Sequence, residues 1–235
     1  MTPTCSLLHA TLWRPEKAIA CMKLWAERAS NPGAIEYVMA YNKDDIQTEA
    51  HFDNVLPELE VPWAHGGVVV IRGAFGGSAP AWNAAYKASS GSLIIQVSDD
   101  QLPPPDFDVA LLNRLPMDWE NKPLVVAVGD SNRKDKLLTT LVATRRFCEN
   151  EGCFLFPGFK SVWSDGDVTY RAYQRNAVIE ARDLVFEHKH PFFDKSVSLD
   201  ETYKLQNEPI RYAEGEALFV ARHPEWKESG IVDWV

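Results

Sequence analysis

The chain has 235 residues, enough to bury a sizeable core, and its 46% hydrophobic and 24% charged residues are the balance of an ordinary globular protein. A net charge of −9 argues against a broad face for a phosphate backbone, which needs a surface rich in lysine and arginine. The segment MTPTCSLLHATLWRPEK lacks the basic flank and apolar core of a secretory signal, and no window approaches the ~20 apolar residues of a membrane span. A soluble, cytoplasmic protein is therefore expected. The four cysteines (Cys5, Cys21, Cys148 and Cys153) form no CxxC pair and read as thiols in a reducing compartment.

In chain order, CSLLHATL reads as a short apolar strand. RPEKAIACMKLWAERASNPG reads as a helix opened by Pro15, with Ile19, Met22, Trp25, Ala26 and Ala29 at helical spacing and Pro32-Gly33 as its stop. IEYVMAY and GGVVVIRG are strands, APAWNAAYKASSG is a helix ending at Gly91, and SLIIQVS is a strand that runs into Asp99 and Asp100. The order strand, helix, strand, strand, helix, strand predicts an α/β fold with a mostly parallel central sheet covered by helices. In the second half, KPLVVAVGD is a buried strand, DKLLTTLVATRRFCENEG a helix, and FLFPGFKSVW a short strand with a loop. DVTYRAYQRNA is a helix starting near Asp165, DLVFEHKH a strand stopped by Pro191, and the tail from Asp200 is helical. No repeat or linker interrupts this, so residues 1–235 read as one domain.

Ligands of such sheets bind at the carboxyl ends of the strands. TLWRP, YNKDD and SDDQ all fall there. Adjacent aspartates leaving a strand make either a wet turn or a site for a hard cation such as Mg²⁺ or Mn²⁺, which takes carboxylate oxygens together with substrate phosphates. EHKHP places His188 and His190 on one face of a strand, where two imidazoles form either a surface pair or part of a metal shell. In WSDGDVTYRAY, Asp165 and Asp167 flank a glycine at a helix start, so a carboxylate there is either an N-cap or a general base. IRGAFGGSAPAWNAAY matches neither GxGxxG nor GxxxxGK[ST], and Trp13, Trp82, Trp119 and Trp163 are candidates to stack on a base or sugar. Arg133, Lys134, Lys136, Arg145 and Arg146 read as a solvated helix face.

Taken together, these motifs resemble the inverting family-2-type glycosyltransferases of the GT-A fold, over roughly residues 5 to 195. The resemblance is carried by SLLHATLWRPEKAIACMKLWAER, IEYVMAYNKDD, WNAAYKASSGSLIIQVSDDQLPPPDF, SDGDVTYRA and EHKHP, in that order. It implies a Rossmann-like GT-A sheet with a small second sheet and a C-terminal helical tail. Residues to about 102 would form the nucleotide-sugar half, and those from about 103 the acceptor half. It implies a metal-dependent transferase, with Mn²⁺ or Mg²⁺ as cofactor, that moves a sugar from a nucleoside-diphosphate donor, UDP-linked in the first instance, to an acceptor hydroxyl with inversion. Asp100, with His188 or His190, would hold the ion; Asp165, with Asp167 beside it, would be the base. Thr11, Trp13, Arg14, Asp44, Arg72, Asn83 and Asp99 would bind the donor. Where such chains end the second strand on an aspartate that reads the base, this one has Tyr41 or Asn42. A hydroxylated DNA base stays open as acceptor. The alternatives are a nucleotidyltransferase on a similar sheet, a metal-dependent hydrolase, and an inactive nucleotide- or carbohydrate-binding module.

Overall fold

A computed structural model describes residues 3–234. Strand β1 (Cys5–Thr11), helix α1 (Pro15–Glu27), β2 (Ile35–Asn42), α2 (Ile46–Val55), β3 (Val68–Gly73), α3 (Ser78–Ala88) and β4 (Leu93–Val97) form an alternating first half. A two-residue strand β5 (Gln101–Leu102), α4 (Phe107–Leu112), β6 (Val125–Asp130), β7 (Val142–Thr144), α5 (Arg145–Glu151), α6 (Ser164–Gln174), β8 (Val178–His188), α7 (Glu201–Gln206) and α8 (Pro209–Arg222) complete it. The strand order is β3-β2-β1-β4-β7-β6-β8-β5. The β1–β2, β2–β3, β1–β4 and β6–β8 pairs are parallel, and β7 and β5 are the antiparallel insertions.

The sheet is covered on both faces, so its central strands read as continuous apolar runs. Leu7, Met22, Trp25, Tyr37, Ile95 and Phe107 belong to the core under α1 and α4. Leu8, Val38, Ile94, Phe147, Val168 and Phe219 belong to the opposite core, which α3, α5, α6 and α8 cover. Alternation along β1 explains the split: Leu7 points to one layer and Leu8 to the other.

Four expectations need correction. Residues 135–152 are not one helix. The segment Val142–Thr144, with β-branched residues at both ends, is an inner strand between β4 and β6, and the chain turns helical only where Thr144 caps α5 by accepting from the Phe147 amide. Helix α2 was hidden because it buries only Thr48 and Phe52, although Asp45 caps it by accepting from the Thr48 amide at 3.0 Å. FLFPGFKSVW holds no strand beyond a single bridge between Ser161 and Trp163; Phe154, Leu155 and Phe159 anchor it as a loop. Strand β8 starts five residues earlier than expected, at Val178, and stops at His188, so His190 lies outside it.

The small second sheet is the distal end of β8 paired with β5, in the register Gln101↔His188. It arises from a bulge. β6 and β8 run in step as far as Val128↔Ala181 and resume at Gly129↔Val185. A Cβ on Gly129 would lie 2.3 Å from the Arg182 carbonyl oxygen, so only glycine allows the crossing.

Asp167, on α6, is fully buried. It accepts from Arg171 Nε at 2.8 Å, Arg222 Nε at 2.7 Å and His223 Nε2 at 2.9 Å, which ties α6 to α8. Burial alone would raise its pKa, but the His223 hydrogen bond and the two guanidinium groups pull it down to about 2. Asp167→Asn is expected to cost about 3 kcal/mol in urea unfolding, because it strands buried cations. A depressed acid stabilises above its unfolded pKa, so the wild type should lose this contribution as pH falls from 3.8 towards 2, and the variant should not.

Candidate active site

At the carboxyl ends of β1, β2 and β4 lies a cavity of about 430 Å³. Thr11, Trp13, Arg14, Asp44 and Asp99 line it. Asp100, Asp165, His188 and His190 line it too, from the second half of the chain and its junction with the first.

Three expected site residues do not reach it. Asn83 is clamped to Leu155, donating to its carbonyl at 2.8 Å and accepting from its amide at 3.0 Å. Arg72 pairs with Glu49 at 2.5 Å and donates to the Lys43 carbonyl. Asp167 is spent on the buried ion cluster. Nor do the basic residues of 133–146 form one face. Arg133 pairs with Asp135 at 2.6 Å, and Arg145 donates to the Gly91 carbonyl at 2.7 Å.

The aspartate pair divides into two environments. Asp99 turns inward, taking hydrogen bonds from His9 Nε2 at 2.8 Å and Thr11 Oγ1 at 3.1 Å, with Arg14 Nη1 at 3.8 Å. His9 is itself held by the Tyr37 hydroxyl on Nδ1 at 2.7 Å. Asp100 turns outward, where Oδ2 accepts from the Tyr203 hydroxyl at 2.8 Å and faces His188 Nε2 at 3.8 Å. His188 Nδ1 sits 2.8 Å from Asp130 Oδ2, which fixes the ring and leaves Nε2 aimed at Asp100. Burial opposes a charge on His188, but Asp130 and Asp100 outweigh it and raise the imidazole above its ordinary value. His190 reaches the same place by a tight turn, its amide donating to the His188 carbonyl at 3.0 Å, and the two rings stand 5.4 Å apart.

Asp165 lies in the first turn of α6 and is not its cap. That position is Trp163, at φ 71°, and Asp165 Oδ1 accepts from the Gly166 amide. Burial pushes its carboxyl above the usual carboxylate range, against the pull of the Gly166 amide, Arg133 and His188. Trp13 is also left-handed, at φ 57°; it is 45% exposed, and its amide donates to Asp45. Strained residues thus flank the cavity on both sides.

His9, Asp130, Asp200 and Tyr203 escaped the sequence reading. Asp130 carries the signal that marked Asp99 and Asp100, an aspartate at a strand's carboxyl end. His9 shares a face of β1 with Thr11. Asp200 and Tyr203 carry no local signal.

No protein-family model matches the sequence, and no curated protein matches it. The structure does match solved ones. The mannosyltransferase PcManGT from Pyrobaculum calidifontis, in complex with GDP-Man and Mn²⁺, aligns with a TM-score of 0.66 at 15% identity over 96% of this chain and 65% of that one. Residues 1–349 of TarS from S. aureus align at 0.59 and 16%, over 100% and 75%. Glucosyl-3-phosphoglycerate synthase from Mycobacterium tuberculosis, with Mn²⁺, UDP and glucosyl-3-phosphoglycerate, aligns at 0.57 and 14%, over 99% and 82%.

The chain has the GT-A glycosyltransferase fold. It spans just under two thirds of the mannosyltransferase. Within that fold, the cavity occupies the carboxyl ends of the parallel strands, and among the described residues no helix is long and apolar enough to cross a membrane.

A raised carboxyl is one that the folded state prefers protonated, so Asp165 costs stability once pH exceeds its unfolded pKa. Asp165→Asn is accordingly expected to leave the melting temperature at pH 7 unchanged or raise it, read by calorimetry.

Proposed function

We propose that the protein is a metal-dependent glycosyltransferase that moves a sugar from a nucleoside-diphosphate donor to an acceptor hydroxyl with inversion, with a UDP-sugar as the first donor to test. The observation that carries this reading is the Asp100–His188 pair, braced by Asp130, in one cavity with Asp165. Donors and ions in the solved neighbours support it: GDP-Man with Mn²⁺ in one, and UDP with Mn²⁺ or Mg²⁺ in another.

The residues fit a hard divalent ion. Two ligand atoms with bonds of ~2.1 Å lie at most ~4.2 Å apart on one ion, and Asp100 Oδ2 and His188 Nε2 are 3.8 Å apart. Among the described residues no group of three or more His, Cys, Asp or Glu surrounds a common point, so Asp100 and His188 would need substrate phosphates to complete the shell. Mn²⁺ or Mg²⁺ held there would offset charge on the departing diphosphate.

The chain's own residues do the rest. Asp130 keeps Nδ1 of His188 occupied, so Nε2 is the nitrogen offered to the site. Asp99, locked by His9 and Thr11, presents an edge for a ribose hydroxyl, and the exposed ring of Trp13 is a stacking surface for the base. Asp165 takes the proton of the acceptor hydroxyl as that oxygen attacks the anomeric carbon in a single displacement. Its raised pKa brings the base closer to working pH.

Turnover of UDP- and GDP-sugars with Mn²⁺ tests this. Asp100→Ala should abolish metal-dependent turnover. Asp165→Asn should lower transfer on the order of 10²- to 10⁴-fold while sparing nucleotide binding by calorimetry. Full activity in both variants would sink the assignment.

A further inference from the structure

One guanidinium of the cavity keeps a buried N–H without a hydrogen-bond partner among the described residues. Of the cavity's two arginines, Arg14 is consumed by Asp200, donating at 2.9 and 2.6 Å. His188 is engaged by Asp130. Arg211, on α8, is different: its side chain is 15% exposed, and its Nη1 is buried without a hydrogen-bond partner among the described residues. The nearest carboxylate, Glu208, is 3.8 Å from Nε, beyond hydrogen-bond reach. A buried guanidinium N–H left open is costly, and an oxyanion is its natural complement. Gln206, at the end of α7, lines the same cavity, and its Oε1 is buried without a donor.

The placement of Arg211 separates it from the aspartate pair. Arg211 and Gly215 are four residues apart and share one face of α8. That face packs on the loop leading into α6, since a Cβ on Gly215 would lie 2.8 Å from the Val162 carbonyl oxygen. Arg211 therefore lies on the side of the cavity that carries Asp165.

We propose that the acceptor is a hydroxylated acid, whose carboxylate or phosphate pairs with Arg211 while a hydroxyl donates to Gln206, leaving a second hydroxyl beside Asp165. The inference rests on the glycosyltransferase reading for the identity of this ligand as acceptor. The anion-binding subsite itself is measurable without any donor.

Calorimetric titration of the full chain with glycerol 3-phosphate, glycerate and neutral glycerol tests it, with and without UDP and Mn²⁺. At least one anion should bind about tenfold or more tightly than glycerol, and comparing the two tells phosphate from carboxylate. Arg211→Gln should erase that preference and leave UDP affinity unchanged. Arg211→Met, which keeps the aliphatic stem, is a second variant that distinguishes loss of the guanidinium from loss of fold. Equal binding of all three probes, or a preference that survives in both variants, would overturn the inference. So would a loss of UDP affinity in the variants with anion binding intact, which would assign Arg211 to the donor diphosphate. An Arg211-dependent anion preference in a wild type that fails to bind UDP would uphold the subsite and count against the donor reading alone.

Discussion

One buried guanidinium holds the site together. Arg14, at the turn between β1 and α1, is 8% exposed and forks onto Asp200, more than 180 residues away in sequence. It stacks on the Tyr203 ring at 3.9 Å, and it faces Asp99 at 3.8 Å. Burial would raise the Asp200 carboxyl, but hydrogen bonds from Arg14 and Lys17 bring it down to about 2. With the Thr202 hydroxyl donating to the Leu12 carbonyl at 2.6 Å, this tie fastens α7 to the first turn of the chain. Tyr203 then reaches Asp100, so the clamp that closes the cavity also aims its outward carboxylate. A planar, permanently charged fork is suited to this; a lysine would supply neither the bidentate geometry nor the stacking face.

The second constraint is backbone geometry. Parallel strands bring their carboxyl ends to one edge, which delivers β1, β2 and β4 to the cavity but leaves β8 to arrive from the other half. The bulge at Gly129 lets β8 cross over β6 and pair with β5. Gln101 is then opposite His188, and the Lys189 amide donates to the Asp100 carbonyl at 2.8 Å. Asp100 and His188 thus meet because of a sheet register, a more rigid support than a loop. Left-handed Trp13 and Trp163 store strain at the two turns into the cavity, where a ligand-binding surface needs unusual backbone directions.

Helices α1 and α3 were legible because each buries an apolar face with a helical repeat, and the strands of the parallel core because they are short continuous apolar runs; α6 was legible from its start near Asp165. Helix α2 escaped because its stability comes from the Asp45 cap and a few contacts. Residues 135–152 misled because helix-favouring flanks surround the short strand β7, whose partners, β4 and β6, lie in other elements of the chain. The aspartate pair, Asp165 and His188 were readable from strand ends and a helix start. Asn83, Arg72 and Asp167 stand outside the cavity because a side chain's direction depends on neighbours such as Leu155, Glu49 and Arg222, which spacing does not reveal. Asp200 and Tyr203 were invisible because their role exists only when the tail folds back on Arg14.

Asp100 and His188, braced by Asp130, are the proposed half of a metal site that the donor's diphosphate would complete. Its most direct measurement is the affinity of UDP, GDP, CDP and TDP, titrated by calorimetry with and without Mn²⁺ in the wild type and in His188→Ala. The account predicts that one nucleotide binds tightly only when Mn²⁺ is present, and that His188→Ala removes the effect of Mn²⁺. Nucleotide affinity indifferent to Mn²⁺, or a Mn²⁺ effect undiminished in His188→Ala, would contradict it.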